Sequence, residues 1–235
     1  MASSIKISEI FGPTIQGEGV LIGKPTLFVR TAGCDYRCHW CDTPYAVDSE
    51  YRHDWLDQDT QSIFEQLQEK SGKKPMLVTL SGGNPAIQNL GPLITLGQKY
   101  GYEFALETQG SIVASWFKDL NFLTLSPKPP SSNMDTDWHI FDECLKTAGD
   151  VPTITLKIVI FDEQDYLYAK ATHAKYPHLP LYLQIGNHKI TGKVDHEGLN
   201  NRFNWLIERV NSDQWYAPYI MPQLHVTLWG NQRGV

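Results

Sequence analysis

Phe28-Val29-Arg30-Thr31-Ala32-Gly33-Cys34-Asp35-Tyr36-Arg37-Cys38-His39-Trp40-Cys41-Asp42-Thr43 is the stretch from which the fold can be read. An apolar, β-rich run over 26–30 ends at the small pair Ala32-Gly33. It opens into a loop with three cysteines at spacings of four and three. A strand that delivers ligand-type side chains at its carboxyl end is the arrangement of α/β sheets and barrels, whose chemistry collects on the loops after the strands. Further runs of this kind lie at 76–80, 103–107, 122–125, 154–161, 181–184 and 216–220. Several are almost unbroken apolar runs, as parallel strands buried on both faces require.

Segments of helical period lie between them. Asp59-Thr60 can cap a helix whose face is Ile63, Phe64 and Leu67 and whose stop is Gly72. A second helix is expected over 86–100, with Gly101 as terminator, and a third carries Phe141, Cys144, Leu145 and Ala148. Leu199, Phe203, Leu206, Ile207 and Val210 hold the period over three turns. The count is about six βα units, against the roughly 250 residues of a closed eight-unit barrel. Neither the first 25 residues nor 43–57 reads as a βα unit. A single α/β domain over 1–235, shaped as a partial barrel, is expected.

Hydrophobic residues make up 41 % of the 235, enough for a continuous core. No run approaches the roughly 20 apolar residues of a membrane span. Met1-Ala2-Ser3-Ser4-Ile5-Lys6 lacks the basic-then-apolar design of a secretory signal, so a cytoplasmic location is expected. A net charge of −6 and a pI near 5.7 argue against nucleic acid, which needs a basic face, and favour a small substrate.

Three of the four cysteines, Cys34, Cys38 and Cys41, lie within eight residues, and Cys144 stands apart. A secreted disulfide scaffold would spread its cysteines, whereas a tight trio points to metal. Thiolates suit zinc or iron–sulfur centres. Three ligands on a four-iron cube leave one iron open to a ligand that is not protein. Structural zinc takes four closed ligands, the fourth here being His39 or a remote residue. Spacing alone leaves both open. Cys144 fits an apolar helix face as a small hydrophobe. The other histidines, His53, His139, His173, His178, His188 and His196, show no ligand spacing and read as surface or core residues.

Three later loops carry polar groups at strand ends. Thr79-Leu80-Ser81-Gly82-Gly83-Asn84-Pro85 has two glycines that permit close backbone approach, or is a plain βα turn. In Glu107-Thr108-Gln109-Gly110-Ser111 the carboxylate could bind hydroxyls, or Thr108 or Ser111 could cap a helix. Ser126-Pro127-Lys128-Pro129-Pro130-Ser131-Ser132 is a rigid anion and hydroxyl reader, or a stiff connection.

The C-x3-C-x2-C spacing, with Trp40 before the third cysteine, resembles the signature of the radical S-adenosylmethionine superfamily. Gly82-Gly83-Asn84-Pro85 is similar to its Gly-Gly-Glu-Pro loop, with asparagine where glutamate is commoner. Glu9-Ile10-Phe11-Gly12-Pro13-Thr14-Ile15-Gln16-Gly17-Glu18-Gly19 resembles the opening of the 7-carboxy-7-deazaguanine synthases, as do residues 28–34, Trp40 to Thr43, Ser126-Pro127-Lys128 and Pro222-Gln223-Leu224-His225. The resemblance implies an incomplete (β/α)6 barrel with modified helices. It further implies a homodimer, magnesium, and an electron donor such as flavodoxin or ferredoxin. The implied reaction converts 6-carboxy-5,6,7,8-tetrahydropterin to 7-carboxy-7-deazaguanine with ring contraction and loss of ammonia.

Carried over residue by residue, the resemblance implies that Cys34, Cys38 and Cys41 hold a 4Fe-4S cluster and that Thr43 meets magnesium. Trp40, Asp42, Ser81, Gly82, Gly83, Glu107, Ser126, Pro127 and Lys128 would bind S-adenosylmethionine. Ile15, Gln16, Gly17, Arg30 and Thr79 would bind the pterin, Arg30 offering a planar fork to its carboxylate. Glu18, His225 and Asp42 are acid or base candidates. The rival readings are a glycyl-radical activase of the same superfamily and a zinc-stabilised binding module.

Overall fold

The structure, a computed structural model, describes residues 4–235. Its strands are β1 (Ile5–Ile15), β2 (Pro25–Thr31), β3 (Leu56–Gln58), β4 (Leu77–Gly82), β5 (Glu103–Thr108), β6 (Phe122–Leu125), β7 (Thr153–Ile160), β8 (Leu181–Ile185) and β9 (Tyr219–Met221). The helices are α1 (Pro44–Val47), α2 (Thr60–Lys70), α3 (Gly91–Lys99), α4 (Trp138–Ala148), α5 (Glu163–Lys175), α6 (His196–Ser212) and α7 (Leu224–Trp229).

All nine strands form one sheet in the order β3-β1-β2-β4-β5-β6-β7-β8-β9. From β2 to β9 the pairings are parallel, while β1 runs antiparallel to both β2 and β3. Seven parallel strands joined by six crossovers give the expected partial barrel, left open between β3 and β9. One crossover, β5 to β6, has only a 3-10 turn at Ser115–Asp119 in place of a helix. No helix among the described residues is long and apolar enough to cross a membrane.

The two-residue side-chain period divides the sheet's faces. Leu27 and Val29, Val78 and Leu80, Phe104 and Leu106, Leu123 and Leu125, and Ile158 and Ile160 belong to the core. The helices bring Ile63, Phe64 and Leu67 from α2, Leu93 and Ile94 from α3, and Phe141 and Cys144 from α4 to the same core. The alternate positions, Thr26, Phe28 and Arg30, Thr79 and Ser81, Glu107, Thr124, Thr155 and Lys157, and Gln184, take the opposite face. That inner face is polar, so one strand register builds both the core and the lining of a site.

Local chemistry sets the boundaries. Asp59 caps α2 by accepting from the backbone N–H of Ser62 at 2.9 Å, as expected. The helix expected over 86–100 is instead a 3-10 turn at Pro85–Ile87 followed by α3 from Gly91. Pro92 explains this: proline fits the first turn of a helix and breaks one at any later position, so the helix starts anew around it. The strand expected over 216–220 is Tyr219–Met221, because Pro218 withholds a ladder N–H. The stretch 43–57, which did not read as a βα unit, folds as α1, a 3-10 turn at Ser49–Asp54 and most of the edge strand β3. Helix α5 had no apolar stripe to announce it, because its buried face is Asp165, Tyr166, Ala169 and Thr172.

Candidate active site

At the carboxyl ends of the parallel strands the inner face opens onto a cavity of about 880 Å³. Cys34, Cys38 and Cys41 all line it, each free and partly exposed. The loop that carries them is fastened along its length. Gly33 donates its N–H to the Ala46 carbonyl at 2.7 Å, and His39 donates its own to Ser132 at 2.9 Å. The Arg37 guanidinium donates to the carbonyls of Cys34 and Tyr36 at 2.8 and 2.7 Å, and the Tyr36 hydroxyl to that of Asp135 at 2.6 Å. Burial raises the pKa of all three thiols, that of Cys41 to about 11, so a cationic centre is needed to hold them as thiolates. Cys144 is buried on α4 and directs its sulfur at the Ile112 carbonyl, 3.4 Å away.

Trp40 lines the same cavity. Its indole N–H donates to the Ser131 hydroxyl at 2.9 Å, and its ring lies 5.3 Å from that of Phe161. The Lys128 ammonium sits 5.7 Å from the indole centre. Asp42 and Thr43 are on the wall, and Thr43, which precedes α1, makes no side-chain capping bond. Ser81, Gly82 and Gly83 approach the cluster loop from β4. A Cβ on Gly82 would collide with the Thr31 carbonyl, and one on Gly83 with that of Gly33. These glycines therefore serve first to let two backbones touch, with Gly82 at a φ of +132°.

The opposite wall is charged. Arg30 lines the cavity, donates its Nε–H to Glu9 at 2.7 Å and lies 5.8 Å from the Tyr45 ring. Lys157, 3 % exposed, forms ion pairs with both Glu18 and Glu107. Burial opposes charge on Glu18. Lys157 and His225, with hydrogen bonds from Lys157 and Gln223, outweigh it and hold the carboxyl well below its ordinary range. Burial likewise opposes the Lys157 charge, and the two carboxylates outweigh it and raise its pKa. Glu18 is thus a fixed anion at neutral pH and no proton donor. His225 approaches Glu18 to 3.8 Å over Gly17, where any Cβ would strike its ring.

Ile15, Gln16 and Gly17 line the cavity, Gln16 using its side-chain oxygen to accept from the Glu18 N–H at 3.1 Å. Three expected residues lie off the main wall. Thr79 is buried with its hydroxyl 2.9 Å from that of Thr26, beside a small adjoining void. Ser126 is buried within 3.4 Å of the Lys128 ammonium, and Pro127 stiffens the loop behind it. His196, read as surface or core, stands on the wall. Lys157, Gln184 and Arg233 line it too and were not singled out in the sequence, and Gln223, quoted there only within Pro222-Gln223-Leu224-His225, joins them. Lys157 sits inside an apolar run and gave no signal. Among the described residues, Ser81 Oγ, Gln184 Oε1 and Gln223 Oε1 are buried with no hydrogen-bond partner in the chain, each in a residue that lines the cavity.

Residues 15–118 match the family described as a 4Fe-4S single cluster domain. Over its whole length the chain is 42 % identical to the 7-carboxy-7-deazaguanine synthases of Bacillus cereus and Bacillus subtilis, covering 99 % and 100 % of this chain and all of each relative. The chain belongs to the 7-carboxy-7-deazaguanine synthase family. A synthase from Synechocystis is 30 % identical, covering 77 % of both chains. The crystal structure of QueE from Escherichia coli shares the fold at a TM-score of 0.70 and 21 % identity, covering 94 % of this chain and 95 % of that one. Three free thiols lining one cavity fit the cluster and the S-adenosylmethionine chemistry of a radical enzyme family.

Proposed function

We propose that this chain converts 6-carboxy-5,6,7,8-tetrahydropterin to 7-carboxy-7-deazaguanine, with ring contraction and loss of ammonia, as one catalytic unit spanning 1–235. One observation carries the reading: the three thiols, Trp40, Arg30 and the Glu18–Lys157–Glu107 cluster share a single cavity. When bound, the 4Fe-4S cluster and S-adenosylmethionine supply one electron and a hydrogen-abstracting agent.

The chain's own residues bind and orient. Cys34, Cys38 and Cys41 hold the cluster. Trp40, fixed by Ser131 and Phe161, offers an aromatic face to adenine. Asp42, Lys128 and the Ser81-Gly82-Gly83 edge address the polar parts of S-adenosylmethionine, and Ser126 and Pro127 hold Lys128. Glu107 gives Oε1 to Lys157 and keeps its second oxygen for a ribose hydroxyl. Arg30, with Nε engaged by Glu9, presents its terminal nitrogens as a fork for the substrate carboxylate. Ile15, Gln16 and Gly17 contact the pterin edge, Thr79 backs them, and ionised Glu18 accepts from its N–H donors.

Thr43, free of capping duty, is the oxygen ligand for Mg2+, which keeps several waters and so needs few protein ligands. A homodimer supplied with electrons by a flavodoxin or ferredoxin, in the cytoplasm where thiols stay reduced, completes the reading.

The test is anaerobic reconstitution followed by incubation with S-adenosylmethionine, reductant and the carboxy-tetrahydropterin. Deazaguanine product that depends on magnesium is expected, and Cys38→Ala abolishes both cluster and product. Cleavage of S-adenosylmethionine with no deazaguanine would instead mark another radical enzyme, such as an activase. A colourless, zinc-loaded protein would mark a binding module.

A further inference from the structure

Behind the cysteine loop lies a polar network built from three strand ends. Asp35 follows the first cysteine, Asn84 follows Gly82-Gly83, and Thr108 ends β5, with Gln109 and Ser111 after it. The Gln109 side chain is buried, 5 % exposed. Its amide nitrogen lies 2.8 Å from Asp35 Oδ1 and 3.7 Å from Cys34 Sγ. Both neighbours are acceptors, so the amide must present its N–H groups to them. Asp35 also accepts from Asn84 Nδ2 at 2.8 Å and from the Ser111 hydroxyl at 2.6 Å.

Asn84 is fully buried, and its oxygen accepts from the Thr108 hydroxyl at 2.7 Å and from the Ala86 N–H at 3.2 Å. Position 84 must therefore accept on one side and donate on the other, which an amide does and a carboxylate does not. A glutamate there would face Asp35 charge against charge. The departure from Gly-Gly-Glu-Pro is thus tied to Asp35, which supplies the anion that orients Gln109.

We infer that Gln109 is a positioning residue for the cluster: held by Asp35, its amide donates to the Cys34 sulfur and sets the reduction potential of the centre. The inference rests on the proposed 4Fe-4S reading of the three thiols. Donors to a cluster sulfur stabilise the more negative, reduced state and raise its potential. Gln109→Met keeps side-chain length and removes the donor. One hydrogen bond of ordinary strength corresponds to roughly a five- to tenfold change in the reduced-to-oxidised ratio at fixed potential.

The experiment is an electron paramagnetic resonance redox titration of the reconstituted full chain, with iron and sulfide content measured alongside. Gln109→Met is expected to retain the wild-type iron content and to titrate at a more negative potential. Gln109→Leu, which removes the donor without placing a charge beside Cys34 and leaves Asp35 paired with Asn84 and Ser111, is expected to behave likewise. A wild-type potential in either variant at full iron content overturns the inference. Should the wild-type chain take up no four-iron cluster, the functional reading itself fails, an outcome visible in the iron content before any titration.

Discussion

Lys157 shows how much one inward-facing residue can control. Its neighbours on β7, Leu156 and Ile158, are buried in the core, while its ammonium bridges Glu18 and Glu107. Lys157→Met leaves two carboxylates facing each other in a buried site and is expected to cost about 3 kcal/mol of unfolding free energy, read by urea denaturation. The pH dependence has a definite sign. Glu18 is held below its ordinary value of 4.5, so its stabilisation is complete above that value and is lost as pH falls further. Lys157 is raised above 10.5, so its stabilisation is complete below that value and is lost as pH climbs past it. Wild-type stability from this cluster is therefore level between about pH 5 and 10. The Lys157→Met variant should instead gain stability as acid neutralises its unpaired carboxylates. Cys144→Ala, by contrast, removes a core sulfur whose hydrogen-bond acceptors are two backbone carbonyls and should leave the iron content unchanged.

At the scale of elements, strands deliver the site and helices support it, so substitutions on the two should separate. Asp59→Ala removes the α2 cap, which lies in an exposed helix start remote from the cavity wall. A melting temperature lower by about 2–4 °C with unchanged product formation is expected, checked by thermal melts beside activity assays. Gly83→Ala forces a methyl into the Gly33 carbonyl and to within 3.0 Å of the Cys34 Cβ. It should lower the iron content as well as cost about 1–3 kcal/mol. Elements with strong local signals, such as α2 with its cap and apolar stripe, could be read from the chain directly. Helix α5 could not, because its buried face carries a carboxylate and a threonine. Strand β1 escaped notice for another reason: it pairs antiparallel with β2 and closes no βα unit.

The whole molecule adds what no single element holds. Residues 229–235 line the cavity wall, with the Arg233 guanidinium 3.5 Å from the Tyr45 ring centre and 3.8 Å from Glu9. Tyr45 and Glu9 also hold Arg30, so the carboxyl-terminal segment and the proposed carboxylate fork share one support. A partly exposed cation–π contact is worth about 1 kcal/mol. Arg233→Ala should accordingly raise the KM for the pterin by roughly fivefold. Iron content should stay as in the wild type and the melting temperature should fall by only about 2–4 °C, which steady-state kinetics beside iron analysis and thermal melts would check.

The amino-acid sequence by itself determined the α/β class, the seven parallel strand positions to within a few residues, and the cysteine loop at the end of the first of them. These depend on local period, caps and ligand spacing, all of which are written along the chain. Only the tertiary structure decided that Lys157 faces inward to two carboxylates and that Thr79 lies behind the wall. The same holds for the link from Asp35 and Asn84 through Gln109 to a cysteine sulfur. Those outcomes depend on which strands lie side by side and which way each side chain turns, and contacts between residues 49 to 139 positions apart leave no periodic mark in the sequence.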